Sequence, residues 1–101
     1  MVGFGNGESQ TQNLPSINLG CTVGHDTILG NFASIMPGVM IAGSVKIGIG
    51  VYIGIGSSII NGVNIGDWSL IGSGATVANS IPDHVLAIGV PAKPIKNYNP
   101  L

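Results

Sequence analysis

Aliphatic side chains recur along this chain at a fixed interval of six residues. They occupy positions 17, 23, 29, 35, 41, 47, 53, 59, 65, 71 and 77, as Ile, Val, Leu, seven successive Ile and Val. Ile, Leu and Val make up only 30 of the 101 residues, too few for eleven consecutive matches to follow from composition. The residue after each is often glycine: Gly24, Gly30, Gly48, Gly54, Gly66 and Gly72. Four residues after each stands an uncharged, mostly small side chain, as in Cys21, Thr27, Ala33, Ser57 and, at the end of the series, Ile81. A strict period of six suits neither an amphipathic helix, which repeats every 3.6 residues, nor a meander of strands with variable turns. It predicts an all-β chain built as a hexapeptide β-helix.

Six residues hold a short strand and a tight corner. The first and fifth positions must both point into a narrow core. Glycines at the second and fourth positions are expected to supply backbone angles that other residues reach only with strain. Three units close a triangle of 18 residues, and triangles stack at about 4.8 Å, the strand spacing of a sheet. The hexads over 17–82 then give three coils and most of a fourth. They follow an N-terminal extension, 1–16, without repeats and precede a closing loop and C-terminal segment, 83–101. Each inward residue lies above its counterpart 18 positions away, so Ile17, Ile35, Ile53 and Ile71 form one ladder. Parallel crossovers are right-handed by default, and the period alone does not set the hand of this one.

Composition narrows the partners. Three Lys, no Arg and four acidic residues argue against nucleic acid and against an anionic membrane surface. The twenty uncharged residues between Lys46 and Asp67 resemble a membrane span by hydropathy. They contain six glycines and keep the hexad phase, so a stacked coil accounts for them better. The first sixteen residues are polar and glycine-rich, without the pattern of a secretory leader, and a cytoplasmic protein is expected. Cys21 falls on an inward position and reads as packing. Outward positions are apolar on two faces: Met40, Ala42, Ile60 and Ala78 on one, Met36, Tyr52 and Leu70 on the other. Surfaces of this kind predict an oligomer, and a triangular prism suits threefold packing.

Candidate chemistry centres on His25, at a corner and followed directly by Asp26. Adding 18 gives Gly43 at the same corner one coil up, then Asn61 and Asn79. An imidazole therefore stands roughly 5 Å from a glycine whose bare backbone can approach a ligand. That pairs a possible general base with a possible carbonyl-polarising N–H, the two requirements of acyl transfer. A lone exposed histidine with no chemical role is the competing reading. His84, in a Pro-Asp-His loop, reads as solvated. Two histidines 59 positions apart cannot supply a three-histidine zinc site, and no metal is expected.

The hexads, the Gly-His-Asp step and the ending Ile-Gly-Val-Pro-Ala-Lys together resemble a hexapeptide-repeat acyltransferase. More narrowly, the chain resembles the C-terminal catalytic half of the sialic-acid O-acetyltransferase and UDP-amino-sugar N-acetyltransferase family, over roughly residues 17 to 95. The resemblance implies a left-handed β-helix and a homotrimer with active sites between subunits. It also implies acetyl-CoA as donor and a small-molecule acceptor with an amino or hydroxyl group, such as a sugar or sugar nucleotide. His25 falls on the catalytic base, Asp26 on the carboxylate that assists it, and Gly43 on the glycine whose N–H meets the thioester carbonyl. Ile55 and Ser73, in the column Leu19, Pro37, Ile55 and Ser73, match positions lining the CoA channel. Gly89 to Lys93 match the segment near the nucleotide end of CoA. Ser34 stands near the acetyl group, where family members often carry a second histidine. Those members also begin with a Rossmann-like domain holding the sugar nucleotide, where this chain has sixteen residues. A non-catalytic trimeric β-helix, structural or interacting, or an inactive truncated acetyltransferase, is the alternative.

Overall fold

The computed structural model describes residues 14–100 and the backbone of residues 2–4. Most of the N-terminal extension expected over 1–16 lies outside the described residues. The described chain forms a left-handed parallel β-helix of about four coils. β1 (Val2–Phe4) precedes the first coil, which is β2 (Ser16–Ile17), β3 (Thr22–Val23) and β4 (Thr27–Leu29). The second is β5 (Ser34–Ile35), β6 (Met40–Ile41) and β7 (Lys46–Ile47), and the third β8 (Tyr52–Ile53), β9 (Ser58–Ile59) and β10 (Asn64–Ile65). β11 (Leu70–Ile71) and β12 (Thr76–Val77) begin the fourth, and β13 (Val85–Gly89) and β14 (Ala92–Asn97) close the stack. The prism has three faces: β2-β5-β8-β11-β13-β14 on the first, β3-β6-β9-β12 on the second and β1-β4-β7-β10 on the third.

The register follows from the 18-residue coil. Ile17, Ile35, Ile53 and Ile71 align in successive parallel pairs, as do Val23, Ile41, Ile59 and Val77. Backbone donors at the outward positions reach up to the next coil, as from Ser34 to Val51 O at 2.8 Å and Tyr52 to Ser69 O at 3.0 Å. Ladder residues from Leu29 upward are buried. The first two are not: Ile17 is 46% exposed and Val23 is half-buried. The repeat makes every hexad-first position equivalent, but the first coil has a neighbour on one side only, apart from β1 beneath β4.

Glycine's two roles separate in the structure. Within the hexads the left-handed φ values fall on the fourth positions, from Gly20 at 74° to Gly74 at 70°, and include the non-glycine residues Asp26 at 58° and Trp68 at 60°; beyond them His84 and Gly89 also lie in that region. The second positions were expected to share this conformation and do not. They are glycine because the next coil crosses close above, so that a Cβ on Gly54 would lie 2.6 Å from Ser73 N.

The last coil is two residues short. Ile81 pairs with Ile65, not with the Val63 column that the hexad count gives it, and Leu86 pairs with Leu70. Residues beyond Pro82, a closing loop by sequence, continue the first face as β13, with β14 antiparallel to it. No helix among the described residues is long and apolar enough to cross a membrane.

Candidate active site

His25 sits on the edge between the second and third faces, where β3 turns into β4. The turn is made by Asp26, whose φ of 58° suits a short polar side chain better than a branched one. The His25 carbonyl accepts the Ser44 N–H at 2.8 Å, which fastens this corner to the one above. Gly43 stacks over His25 as its position 18 residues on requires. A Cβ at Gly43 would stand 3.2 Å from His25 O, and one at Gly24 only 2.6 Å from Gly43 N. Two glycines thus let the Ala42–Gly43 peptide lie directly over the histidine. The imidazole and the Asp26 carboxylate are both exposed. Neither side chain hydrogen-bonds to another described residue.

Hydrogen-bond bookkeeping separates this edge from another. Apart from Pro37, which has none, the third residue of a corner carries its N–H on the outside of the turn. On the edge between the third and first faces two of these donors are taken: Ile49 N–H by Asp67 Oδ1 at 2.9 Å and Asp67 N–H by Asp83 Oδ1 at 2.7 Å. On the edges flanking the second face, the N–H groups of Gly43, Ile55 and Ser73 have no acceptor among the described residues. Uncapped backbone donors in a row offer polar anchors to the carbonyls of an elongated ligand.

The channel residues expected from the sequence gather on one such edge. Ile55, 58% exposed, and Ser73 stand one above the other. The pairing of Leu70 with Leu86 and Ile71 with Ala87 carries Gly89 to the level above Ser73, and Lys93 lies opposite Ile88 across the hairpin. Ser34 lies on the first face, half-buried on β5. Its nine-residue separation from His25 is half of an 18-residue coil, so the two point to different sides of the prism. The structure therefore brings together His25, Asp26 and Gly43, and separately Ile55, Ser73, Gly89 and Lys93. Within one chain the second face stands between the two groups.

Sequence reasoning passed over two residues of this corner. Gly24 clears the space for Gly43, and Thr27, fully buried, bonds to both sides of it. The signal for Thr27 was a hydroxyl at an inward position otherwise filled mostly by apolar residues. An open groove of about 500 Å³ on the third face, lined by Lys46, Asn64, Asp67, Ser80 and Asp83 among others, contains none of the expected site residues.

Residues 44–79 match the family model described as bacterial transferase hexapeptide (six repeats). Perosamine N-acetyltransferase from Caulobacter crescentus, solved with CoA and GDP-perosamine, superposes with a TM-score of 0.81 at 40% identity, over 83% of this chain and 40% of that one. The acetyltransferase domain of PglB from Neisseria gonorrhoeae, solved with acetyl coenzyme A, gives 0.79 at 34%, over 80% and 40%. Serine acetyltransferase from Haemophilus influenzae is 33% identical over 82 residues, 73% of this chain and 31% of that protein. The chain thus spans well under half the length of the relatives it matches. By its repeat, its coil and these neighbours, the chain resembles the hexapeptide-repeat acetyltransferases, sugar N-acetyltransferases among them.

Proposed function

We propose that this chain is the catalytic coil of an acetyltransferase that moves an acetyl group from acetyl-CoA to an amino or hydroxyl group of a small acceptor, a sugar derivative. The observation that carries this reading is the uncapped Gly43 N–H stacked directly above His25. In the reaction the acceptor's nitrogen or oxygen attacks the thioester carbonyl carbon while His25 takes its proton. The oxyanion that forms is met by the Gly43 N–H. As the C–S bond breaks, the imidazolium returns the proton to the departing thiolate, giving acetylated acceptor and CoA. Ile55, Ser73 and Gly89 line the path of the pantetheine arm, with Lys93 at its phosphate end. The sugar acceptor is supported by the Caulobacter neighbour, whose structure holds GDP-perosamine.

One protomer separates base from channel, so the site needs two. A threefold assembly places the His25 edge of one copy against the face and edge of the next that carry Ser34, Ile55 and Ser73. The apolar exposure of Met40 (55%), Ile60 (45%) and Tyr52 (41%) supports such packing. Sedimentation should then give a particle of about three times the 10.2 kDa chain. A monomer at micromolar concentration would remove the shared site.

Calorimetry with acetyl-CoA, followed by transfer assays on GDP-perosamine and other amino sugars, tests the function. Binding with transfer is expected. Ser34, standing where a second histidine is common, favours one other reading, a trimeric module that binds without turnover. Binding with no transfer to any acceptor would select that module, and no binding at all would end both.

A further inference from the structure

We propose that Thr27 is a positioning residue for acetyl transfer, its buried hydroxyl fixing and polarising the peptide that presents the Gly43 N–H. This rests on the function proposed above and adds a residue to its site.

The fifth position of each hexad points into the core, where Val39, Val45, Val51 and Val63 are buried without any polar group to satisfy. Thr27 is 0% exposed there and carries a hydroxyl. Leaving such a buried group unpaired is costly, and both of its capacities are used. Oγ1 donates to Ala42 O at 2.8 Å and accepts from Val45 N–H at 3.3 Å. With the Val45 donor on its lone pair, the hydroxyl proton is directed to Ala42 O. The two partners flank Gly43 in sequence, and Thr27 itself follows the His25–Asp26 step. One side chain thus ties the base's corner to the glycine's corner.

The consequence for Gly43 follows from peptide geometry. The Ala42 C=O and Gly43 N–H belong to one planar trans unit and point in opposite directions. The coil already turns this carbonyl inward and the N–H outward, as at other corners; here Thr27 pins the carbonyl with a hydrogen bond, and the N–H has no acceptor among the described residues. A hydrogen bond to an amide oxygen also strengthens the donor on the same amide. The hydroxyl therefore acts on the thioester carbonyl through Gly43, without touching it. Ser69 provides a matched comparison. Also 0% exposed, it donates to Pro82 O at 2.6 Å and accepts from Val85 N–H at 3.1 Å, on the edge away from His25.

The test uses Thr27→Val, which keeps the shape and removes the hydroxyl, with Thr27→Ser to restore it and Ser69→Ala to report the cost of losing a buried hydroxyl elsewhere. In Thr27→Val, kcat at saturating acetyl-CoA should fall about tenfold, less than the 10²–10³ lost when an oxyanion donor is removed outright. KM for acetyl-CoA should stay as in the wild type. Thr27→Ser should recover kcat, and Ser69→Ala should lose thermal stability without losing kcat. Independently of turnover, the Gly43 amide proton should move upfield in the NMR spectrum of Thr27→Val and hold its position in Thr27→Ser. If Thr27→Val does not fold, Thr27→Cys replaces it, with an intermediate kcat and shift expected from the weaker S–H donor. A wild-type kcat or an unmoved Gly43 resonance in the variant would overturn the proposal, as would an equal kcat loss in Ser69→Ala. If the wild type acetylates nothing, the function fails on its own, and the resonance alone decides whether Thr27 sets this peptide.

Discussion

Replacing His25 with alanine should lower acetyl transfer by a factor on the order of 10²–10⁴, the usual worth of a positioned general base. The variant keeps Gly43 and the coil beneath it intact, because among the described residues the only hydrogen bond His25 contributes is through its backbone carbonyl to Ser44 N–H. Acetyl-CoA affinity should therefore change little, since the donors proposed to receive the cofactor lie along the other edge, at Ile55 and Ser73. His84→Ala makes the control: that residue is exposed, beyond the last hexad, and tied down only through its backbone to Asp67 and Tyr98. It should leave both binding and turnover alone. Steady-state rates with an acceptor that the wild type demonstrably acetylates, beside calorimetric titrations with acetyl-CoA, would check each part. Undiminished turnover in His25→Ala would remove the mechanism.

Ile59→Asp should prevent folding altogether. Ile59 is 2% exposed, between Ile41 on the coil below and Val77 on the coil above. An aspartate there loses the packing of a buried aliphatic chain, about 2–5 kcal/mol. It also leaves a carboxylate with no partner, roughly another 3–5 kcal/mol. Together these approach the whole stability of a small domain, about 5–15 kcal/mol. The neighbouring substitution sharpens the contrast. Ile60, one position on and 45% exposed, points outward, so Ile60→Asp should give a folded chain whose defect is confined to assembly. Circular dichroism and thermal melts of the two variants make the comparison. A cooperative melt from Ile59→Asp near that of the wild type would contradict the interior ladder.

The interior of this fold was legible because a period of six leaves one arrangement for residues such as Ile35, Ile53 and Ile71, all buried without exposure. The same arithmetic placed Gly43 over His25. It failed where the repeat ends. Ile17 carries the ladder's residue type but lacks a coil beneath to cover it. Ile81 fits the hexad count yet joins a different column, because the chain between Val77 and Ile81 takes a shorter path round the corner. The contrast between edges was also out of reach. Nothing in the sequence marks Asp67 as a cap, and the fold places its oxygen on Ile49 N–H. Thr27 could have been flagged as a misfit among apolar inward residues, though its partners at Ala42 and Val45 depend on which corner passes overhead.

The exposed start of the ladder bears on the chemistry as well as the packing. A solenoid is held together by contacts between successive layers, so a layer at the end has half the support of one in the middle. His25 belongs to that end layer, while Gly43 belongs to the next and is gripped from above and below. Opening of the end layer would carry the base away from an oxyanion donor that has not moved. β1, paired with β4 from Thr27 to Leu29, is the one described strand beneath that layer. On the proposed function, competence for transfer and integrity of the fold would be set by different interfaces, His25 lying in the layer that, among the described residues, is covered from beneath by β1 alone.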